Sequence, residues 1–196
     1  NDYVTSAEEY MSAFALGSEV HDLLLHPNDP ALLERVQGYT EDFAAIKGIF
    51  EGLYIATPDT YVLTHTSPTA IGITTRTKES LKTFQNTILA SQHLTNLGIM
   101  KSPGTGSMIL SMYYPIFEAD RCIGYVGAGV YASHLMDVLL GLEMKGLPNS
   151  EYVFLNVENG IYLYHEDEEL LNTETTDQGY LEILNQIKTD GSTEAN

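Results

Sequence analysis

Arg76 is one of three arginines in a chain whose 27 acidic residues outnumber its 9 basic ones, for a net charge of −18. It stands in Thr-Thr-Arg-Thr-Lys-Glu-Ser, just ahead of a helical pattern that Thr77 can cap. A carboxylate held there would meet both a guanidinium fork and free backbone amides at the helix start. A second group of residues emerges from the run 107–131, where alternate positions separate cleanly. Ser107, Ile109, Ser111 and Tyr113 fall on one face with Tyr125, Gly127, Gly129 and Tyr131. Met108, Leu110, Met112, Tyr114, Ile116, Val126, Ala128 and Val130 fall on the other, which is almost purely apolar. Phenols and a serine hydroxyl beside glycines that leave room are how a small-molecule wall is built, and Tyr54 on an earlier strand offers a further phenol beside Tyr113 and Tyr125. Lys101, in Met-Lys-Ser-Pro-Gly-Thr-Gly, borders this region and could touch an anion. The blander alternative is a half-solvated sheet face, with Arg76 paired at the surface to Glu79 or Glu51.

Other reactive types carry less. His65 precedes a Thr-Ser turn at a strand end and His165 stands in Tyr-Leu-Tyr-His-Glu-Asp-Glu-Glu; both read as structural. Consecutive residues cannot all face one ion, so His165 with Glu166, Asp167 and Glu168 is not a favoured metal site. Gly104-Thr-Gly-Ser lacks the Gly-Lys-Thr of a phosphate loop, and there is no Gly-x-Ser-x-Gly or His-Glu-x-x-His. No cofactor, no metal and no catalysis are expected. Cys122 is the only cysteine, which rules out an intramolecular disulfide, and it reads as a small hydrophobe in the apolar set. The acidic balance argues against nucleic acid, which needs clustered Lys and Arg, and against an anionic membrane surface. No run approaches the roughly 20 apolar residues of a spanning helix.

The elements that must hold these residues follow from periodicity. Ser6-Ala-Glu-Glu9 reads as a capping box, and Tyr10, Phe14, Gly17, Val20 and Leu24 recur at helical spacing, predicting one helix over about 7–25. Asp29 and Pro30 suit the N-cap and first turn of a second helix over about 30–47. Residues 51–57 and 61–66 read as a hairpin, with Thr-Pro-Asp-Thr as the turn. A loop leads to a helix bearing Leu81, Phe84, Ile88 and Leu94 and ending at Gly98, followed by the loop Lys-Ser-Pro-Gly-Thr-Gly-Ser. The hairpin of 107–131 comes next, then a short helix capped by Ser133 and the linker Lys-Gly-Leu-Pro-Asn-Ser. A further strand over 151–157, an Asn-Gly turn at 159–160, a strand over 161–165 and a helix near 178–189 complete the chain. Antiparallel hairpins separated by helices predict an α+β fold. The chain opens inside a helical pattern and lacks an initiator methionine, so the expectation is a soluble segment of a longer protein.

Three stretches together carry a resemblance: EGLYIATPDTYVLTHTSPTAIGITTR, SPGTGSMILSMYYPIFEADRCIGYVGAGV and SEYVFLNVENGIYLYHEDEELL. In this order the chain resembles the extracellular double Cache sensor domain, a PAS-like fold, of bacterial transmembrane receptors, over roughly residues 7–170. The resemblance implies an N-terminal helical segment (1–50), a membrane-distal sensor lobe (51–146) and a partial membrane-proximal lobe (147–196). It implies a long helix packed on the apolar sheet face and a ligand between the opposite face and the loops and helix of residues 67–106. The implied ligand-binding residues are Tyr54, Arg76, Lys101, Ser111, Tyr113, Tyr125, Gly127 and Gly129. Amino-acid-binding members follow the arginine with a Trp-Tyr pair and place an aspartate at the position of Gly129. This chain has neither, which leaves a carboxylate or other small anion. The implied setting is the extracytoplasmic side of a cell membrane, anchored by transmembrane helices outside this segment. A homodimer through the N-terminal helix is an option, and methyl-accepting, histidine kinase or diguanylate cyclase modules serve as outputs. The competing function is a structural or protein-interaction module without a ligand.

Overall fold

The computed structural model describes residues 2–133, 152–157, 159–171 and 173–190. The chain divides into two compact units, residues 1–135 and 136–196. In the first unit α1 (Asp2–Ala15), α2 (Ser18–Leu25) and α3 (Pro30–Lys47) precede β1 (Phe50–Ala56) and β2 (Val62–His65). Then come α4 (Lys78–Thr87), β3 (Thr95–Lys101), β4 (Met108–Glu118) and β5 (Arg121–Tyr131). The strands form one antiparallel sheet in the order β2-β1-β5-β4-β3. The architecture is α+β, as expected.

The alternation read from the sequence sorts the two faces correctly. Leu53, Ile55, Leu110, Met112, Val126, Ala128 and Val130 pack in one core with Ala7, Met11, Phe14, Val20 and Leu23 of the helices. Ala56, Val62, Tyr113 and Tyr125 pack in another with Phe84, Ile88 and Leu89, and Tyr54 lies against it. The register confirms the phase: Met112 pairs with Ala128, Ser111 with Gly129 and Tyr113 with Gly127.

Three expectations need correction. The helix over 7–25 is two helices broken at Leu16–Gly17, because Gly17 takes an extended backbone (φ −64°, ψ 140°). A side chain at Gly17 would lie 3.0 Å from the Tyr39 hydroxyl and 3.1 Å from the Phe14 carbonyl, so α3 presses on the chain at the break. Ser6 is not a cap: α1 extends back to Asp2, with Tyr3 and Val4 packed on the core. The helix starting at Lys78 ends at Thr87, and residues 95–101 form an edge strand instead of part of the roof. Gly98, at φ +79°, interrupts that strand with a bulge between Asn96 and Ile99, which hid its alternation.

Asp29 caps α3 as expected, accepting from the Ala31 and Leu32 amides at 2.9 and 3.1 Å. Cys122 leaves the apolar set. A register shift near Ile116–Phe117 sends Ile123 to the helix side and Cys122 to the tyrosine side, where it is half-buried and burial pushes its thiol pKa up.

In the second unit β6 (Phe154–Leu155) pairs antiparallel with β7 (Tyr162–Tyr164), and α5 (Gln178–Asp190) follows. Asn159 accepts from the Ile161 amide at 3.1 Å and Gly160 has φ +69°, as the Asn-Gly turn requires. The short helix capped by Ser133 and the Lys-Gly-Leu-Pro-Asn-Ser linker fall largely or wholly outside the described residues.

Candidate functional site

β1, β5 and β4 carry Tyr54, Tyr125 and Tyr113 side by side on the face away from α1–α3, and Phe84 of α4 closes over them. Phe84 meets Tyr113 and Tyr125 edge-on, at 5.0 and 5.1 Å between ring centroids. Tyr54 meets Tyr125 at 6.0 Å and Tyr113 meets Tyr125 at 6.1 Å. These tilted pairings set ring edges against neighbouring faces, the arrangement the aromatic quadrupole favours.

Arg76 comes from the segment between β2 and α4. Buried Thr60, in the β1–β2 turn at φ +65°, clamps it: the Arg76 amide donates to the Thr60 hydroxyl at 3.0 Å, and that hydroxyl reaches the Arg76 carbonyl at 3.3 Å. The guanidinium lies 3.9 Å from the Phe84 ring centroid, donates to the Tyr113 hydroxyl at 2.9 Å and to Thr75 Oγ1 at 3.3 Å. Stacking on a ring face suits a planar cation. Burial works against the charge on Arg76, but the surrounding tyrosine hydroxyls outweigh it, so its pKa is raised and it stays cationic.

Arg76 has no carboxylate partner among the described residues. Among the described residues the ion pairs are His21–Glu118 and Lys82–Glu79, so Glu79 is engaged elsewhere. Glu51 is engaged too, its Oε1 accepting from Ser102 and Thr105 hydroxyls at 2.7 and 2.6 Å. The surface pairing of Arg76 with either acid is therefore not what the structure contains.

The hydroxyls complete the cluster. Ser111 donates to the Tyr113 hydroxyl at 3.4 Å. Tyr125 is fully buried, and its hydroxyl lies among Thr75 and Tyr54 without a well-formed hydrogen bond. Such an orphan costs about 1–3 kcal/mol unless something pairs with it. Burial pushes the Tyr125 pKa up to about 12, and burial first, then the neighbouring tyrosines, pushes that of Tyr54 well above the usual value. Both are neutral donors at physiological pH.

The glycines do not leave an open floor. A side chain at Gly127 would sit 2.1 Å from Cζ of Tyr54, so the Tyr54 phenol already fills that space. At Gly129 it would sit 2.8 Å from Glu51 Oε2 and 2.9 Å from Ile109 Cδ1. Gly127→Ala is therefore expected to evict the Tyr54 ring and destabilise the unit by about 1–3 kcal/mol, read as a lower urea midpoint. An unchanged midpoint would show that the ring has room to move. Lys101 is exposed at the end of edge strand β3, paired with Met108, five residues or about 16 Å along β4 from Tyr113. The structure does not bring it to the cluster. Surface clefts lie elsewhere, one of about 530 Å³ between α1 and His93–Asn96, another of about 480 Å³ beside the helix break. The cluster itself is closed by side chains.

Phe84 as a platform, Thr60 as a clamp and Glu51 over Gly129 were not read from the sequence. Phe84 was visible as one member of a helical stripe, but Arg76 precedes the N-cap Thr77, so no helical spacing pairs the two.

The second unit repeats the same local construction one hundred residues on. Val62 and Tyr162 amides donate to the Ile73 and Thr173 carbonyls, and Thr75 and Thr175 amides to the Thr60 and Gly160 carbonyls, all at 2.9–3.0 Å. His65 Nδ1 accepts from the Ser67 amide at 2.7 Å and His165 Nδ1 from the Asp167 amide at 2.9 Å. Thr176 stands where the first unit has Arg76, and Leu184 where it has Phe84. The Tyr162 hydroxyl is satisfied by Thr175 at 2.7 Å. The second unit thus reproduces the scaffold without the cation. Among the described residues no group of three His, Cys, Asp or Glu side chains is placed to hold a metal ion.

No family model and no curated protein sequence matches the chain. Solved structures do match in fold. The sensor domain of the Vibrio cholerae histidine kinase DctB superposes with a TM-score of 0.68 at 10% identity, over 99% of this chain and 71% of that one. A domain of a sensory box/GGDEF family protein from Vibrio parahaemolyticus gives 0.63 at 18% identity, over 87% and 68%. The ligand-binding domain of the Campylobacter jejuni chemoreceptor Tlp3, solved with 4-methylisoleucine, gives 0.61 at 12% identity, over 90% and 68%. Five antiparallel strands with helices on both faces, followed by a second unit that repeats the first one's loop, place this chain in the fold of receptor sensor domains, the Cache-like fold its sequence resembles.

Proposed function

We propose that this chain is the extracytoplasmic ligand-sensing input domain of a bacterial transmembrane receptor, anchored by helices outside residues 1–196. It binds a small anion, most simply a carboxylate, at Arg76 between the sheet and its covering segment. The observation that carries this is a cation without a carboxylate partner among the described residues, stacked on Phe84 beside the Tyr125 hydroxyl that finds no well-formed hydrogen bond there, in a protein with a net charge of −18. A partly desolvated guanidinium in so acidic a chain would find an internal carboxylate unless that position were reserved for another anion. Similarity to sensor and ligand-binding domains supports a role in binding, not catalysis. Tyr54, Ser111, Tyr113 and Tyr125 would contact the ligand after Arg76 swings off Phe84. Gly127 and Gly129 would act by admitting Tyr54 and Glu51.

Glu51 favours a second reading of the ligand. Its Oε2 lies over Gly129, next to Ser111 in the register, on the face that carries Arg76. A ligand with an ammonium as well as an acid group would use both ends. The solved structures of Tlp3 with 4-methylisoleucine and of the Pseudomonas aeruginosa chemoreceptor PctC with GABA show this fold holding such molecules.

A thermal-shift panel of organic acids, amino acids, amines and nucleobases tests both readings. An acid or amino acid should raise the melting temperature with concentration as RT ln(1 + [L]/Kd), about 2.7 kcal/mol at a hundredfold excess over Kd. Stabilisation by amines or nucleobases alone would refute the anion reading, and silence across the panel would favour a structural or interaction module.

A further inference from the structure

His65 ends β2 and touches the site from behind. Its ring lies flat on Tyr54, with centroids 5.2 Å apart and planes 16° apart. Gln37 of α3 grips the His65 peptide on both sides: the His65 amide donates to Gln37 Oε1 at 3.1 Å, and the His65 carbonyl accepts from Gln37 Nε2 at 2.9 Å. Nδ1 of His65 accepts from the Ser67 amide at 2.7 Å. Ser67 opens the covering segment that runs to Arg76. An imidazole accepts at Nδ1 only when that nitrogen is unprotonated, and imidazolium has no acceptor at all.

We infer that neutral His65 is a positioning residue for the ligand site: it latches the covering segment through Ser67 while its ring backs the Tyr54 wall, and protonation of the ring releases the latch. The inference rests on the ligand reading above, since it concerns affinity at Arg76. Among the described residues, three titratable groups lie on or beside the contacts of His65. Glu51 and Tyr54 approach from β1, and Glu41 of α3 approaches through Gln37, whose Nε2 donates to it at 2.6 Å. Burial disfavours the imidazolium while the Glu51 carboxylate favours it, and burial wins, so the His65 pKa is lowered. The latch is therefore complete above the usual imidazole value of about 6.5 and is lost as pH falls through the lower folded value.

The test begins without any ligand, on the whole chain labelled with ¹⁵N. Between pH 7.5 and 5.0 the exchange protection of the Ser67 amide should fall about two- to tenfold, the worth of one hydrogen bond, in step with the His65 ring signal. His65→Asn, whose side-chain oxygen can take the place of Nδ1 but does not titrate, should abolish that pH response. Protection that stays constant through the ring's titration, or an unchanged response in the variant, overturns the latch. The ligand arm uses acetate, followed at the Arg76 side-chain signal. Acetate should bind about two- to tenfold more weakly at a pH below the observed midpoint of the His65 ring signal than at pH 7.5 in the wild type, and equally at both in His65→Asn. Equal wild-type binding at both pH values overturns the coupling. No acetate response of Arg76 at either pH overturns the anion reading itself, and the ligand-free arm tells the two failures apart.

Discussion

Arg76→Ala should weaken binding of an anionic ligand about thirtyfold to several-thousandfold, the equivalent of about 2–5 kcal/mol for a partly buried charged contact. The effect is large because, among the described residues, no other cation stands in the cluster: Lys101 lies at the far edge of the sheet. Arg76→Lys should recover only part of the loss, since an ammonium neither forks onto a carboxylate nor stacks on Phe84 as a plane. Isothermal titration of a ligand found in the thermal-shift panel reads this directly. Wild-type affinity in Arg76→Ala would move the ligand out of the cluster.

The second large effect concerns the scaffold. Phe14 is fully buried, stacked on Tyr39 at 5.1 Å and tilted against Phe43 at 5.1 Å, so one ring ties α1 to α3 just before the break at Leu16–Gly17. Phe14→Ala should cost about 3–5 kcal/mol, because the hole it leaves is bounded by two helices and cannot collapse. The urea midpoint should drop with little change in slope. A loss under about 1 kcal/mol would mean that the α1–α3 contact is dispensable and that the sheet stands without it.

The faces of β4 and β5 were legible because strand periodicity is two and each strand is long. From Met108 to Ile116 and from Gly124 to Tyr131 the alternation keeps one phase, which correctly set Tyr113 and Gly127 opposite Met112 and Ala128, whereas the shift that turns Cys122 to the other face left no mark in the pattern. β3 was not legible. Its Gly98 bulge breaks the alternation, and exposed Leu97 and Met100 continue the apolar spacing of the preceding helix. The break at Gly17 escaped for a related reason: Phe14, Gly17 and Val20 keep helical spacing straight through it, and the Tyr39 hydroxyl packed against the break comes from α3, a non-local contact. Arg76 stood out because cations are scarce in this chain. The cluster's closure did not, since whether a glycine is a hole or a seat depends on which side chain of a neighbouring strand points at it. Tyr54 seats itself at Gly127 through the β1–β5 register, a non-local fact. The hundred-residue repeat was partly visible in His65 and His165, and the two copies differ at Arg76 and Thr176.

A crystal structure of the chain with an acid that stabilises it tests the central claim most directly. The ligand's acid group should lie about 2.7–3.0 Å from the Arg76 guanidinium, with Arg76 withdrawn from Phe84 and an acceptor atom of the ligand on the Tyr125 hydroxyl. A ligand seated in another cleft, such as the one between α1 and His93–Asn96, with Arg76 still stacked on Phe84 and Tyr125 still unpaired, would contradict it.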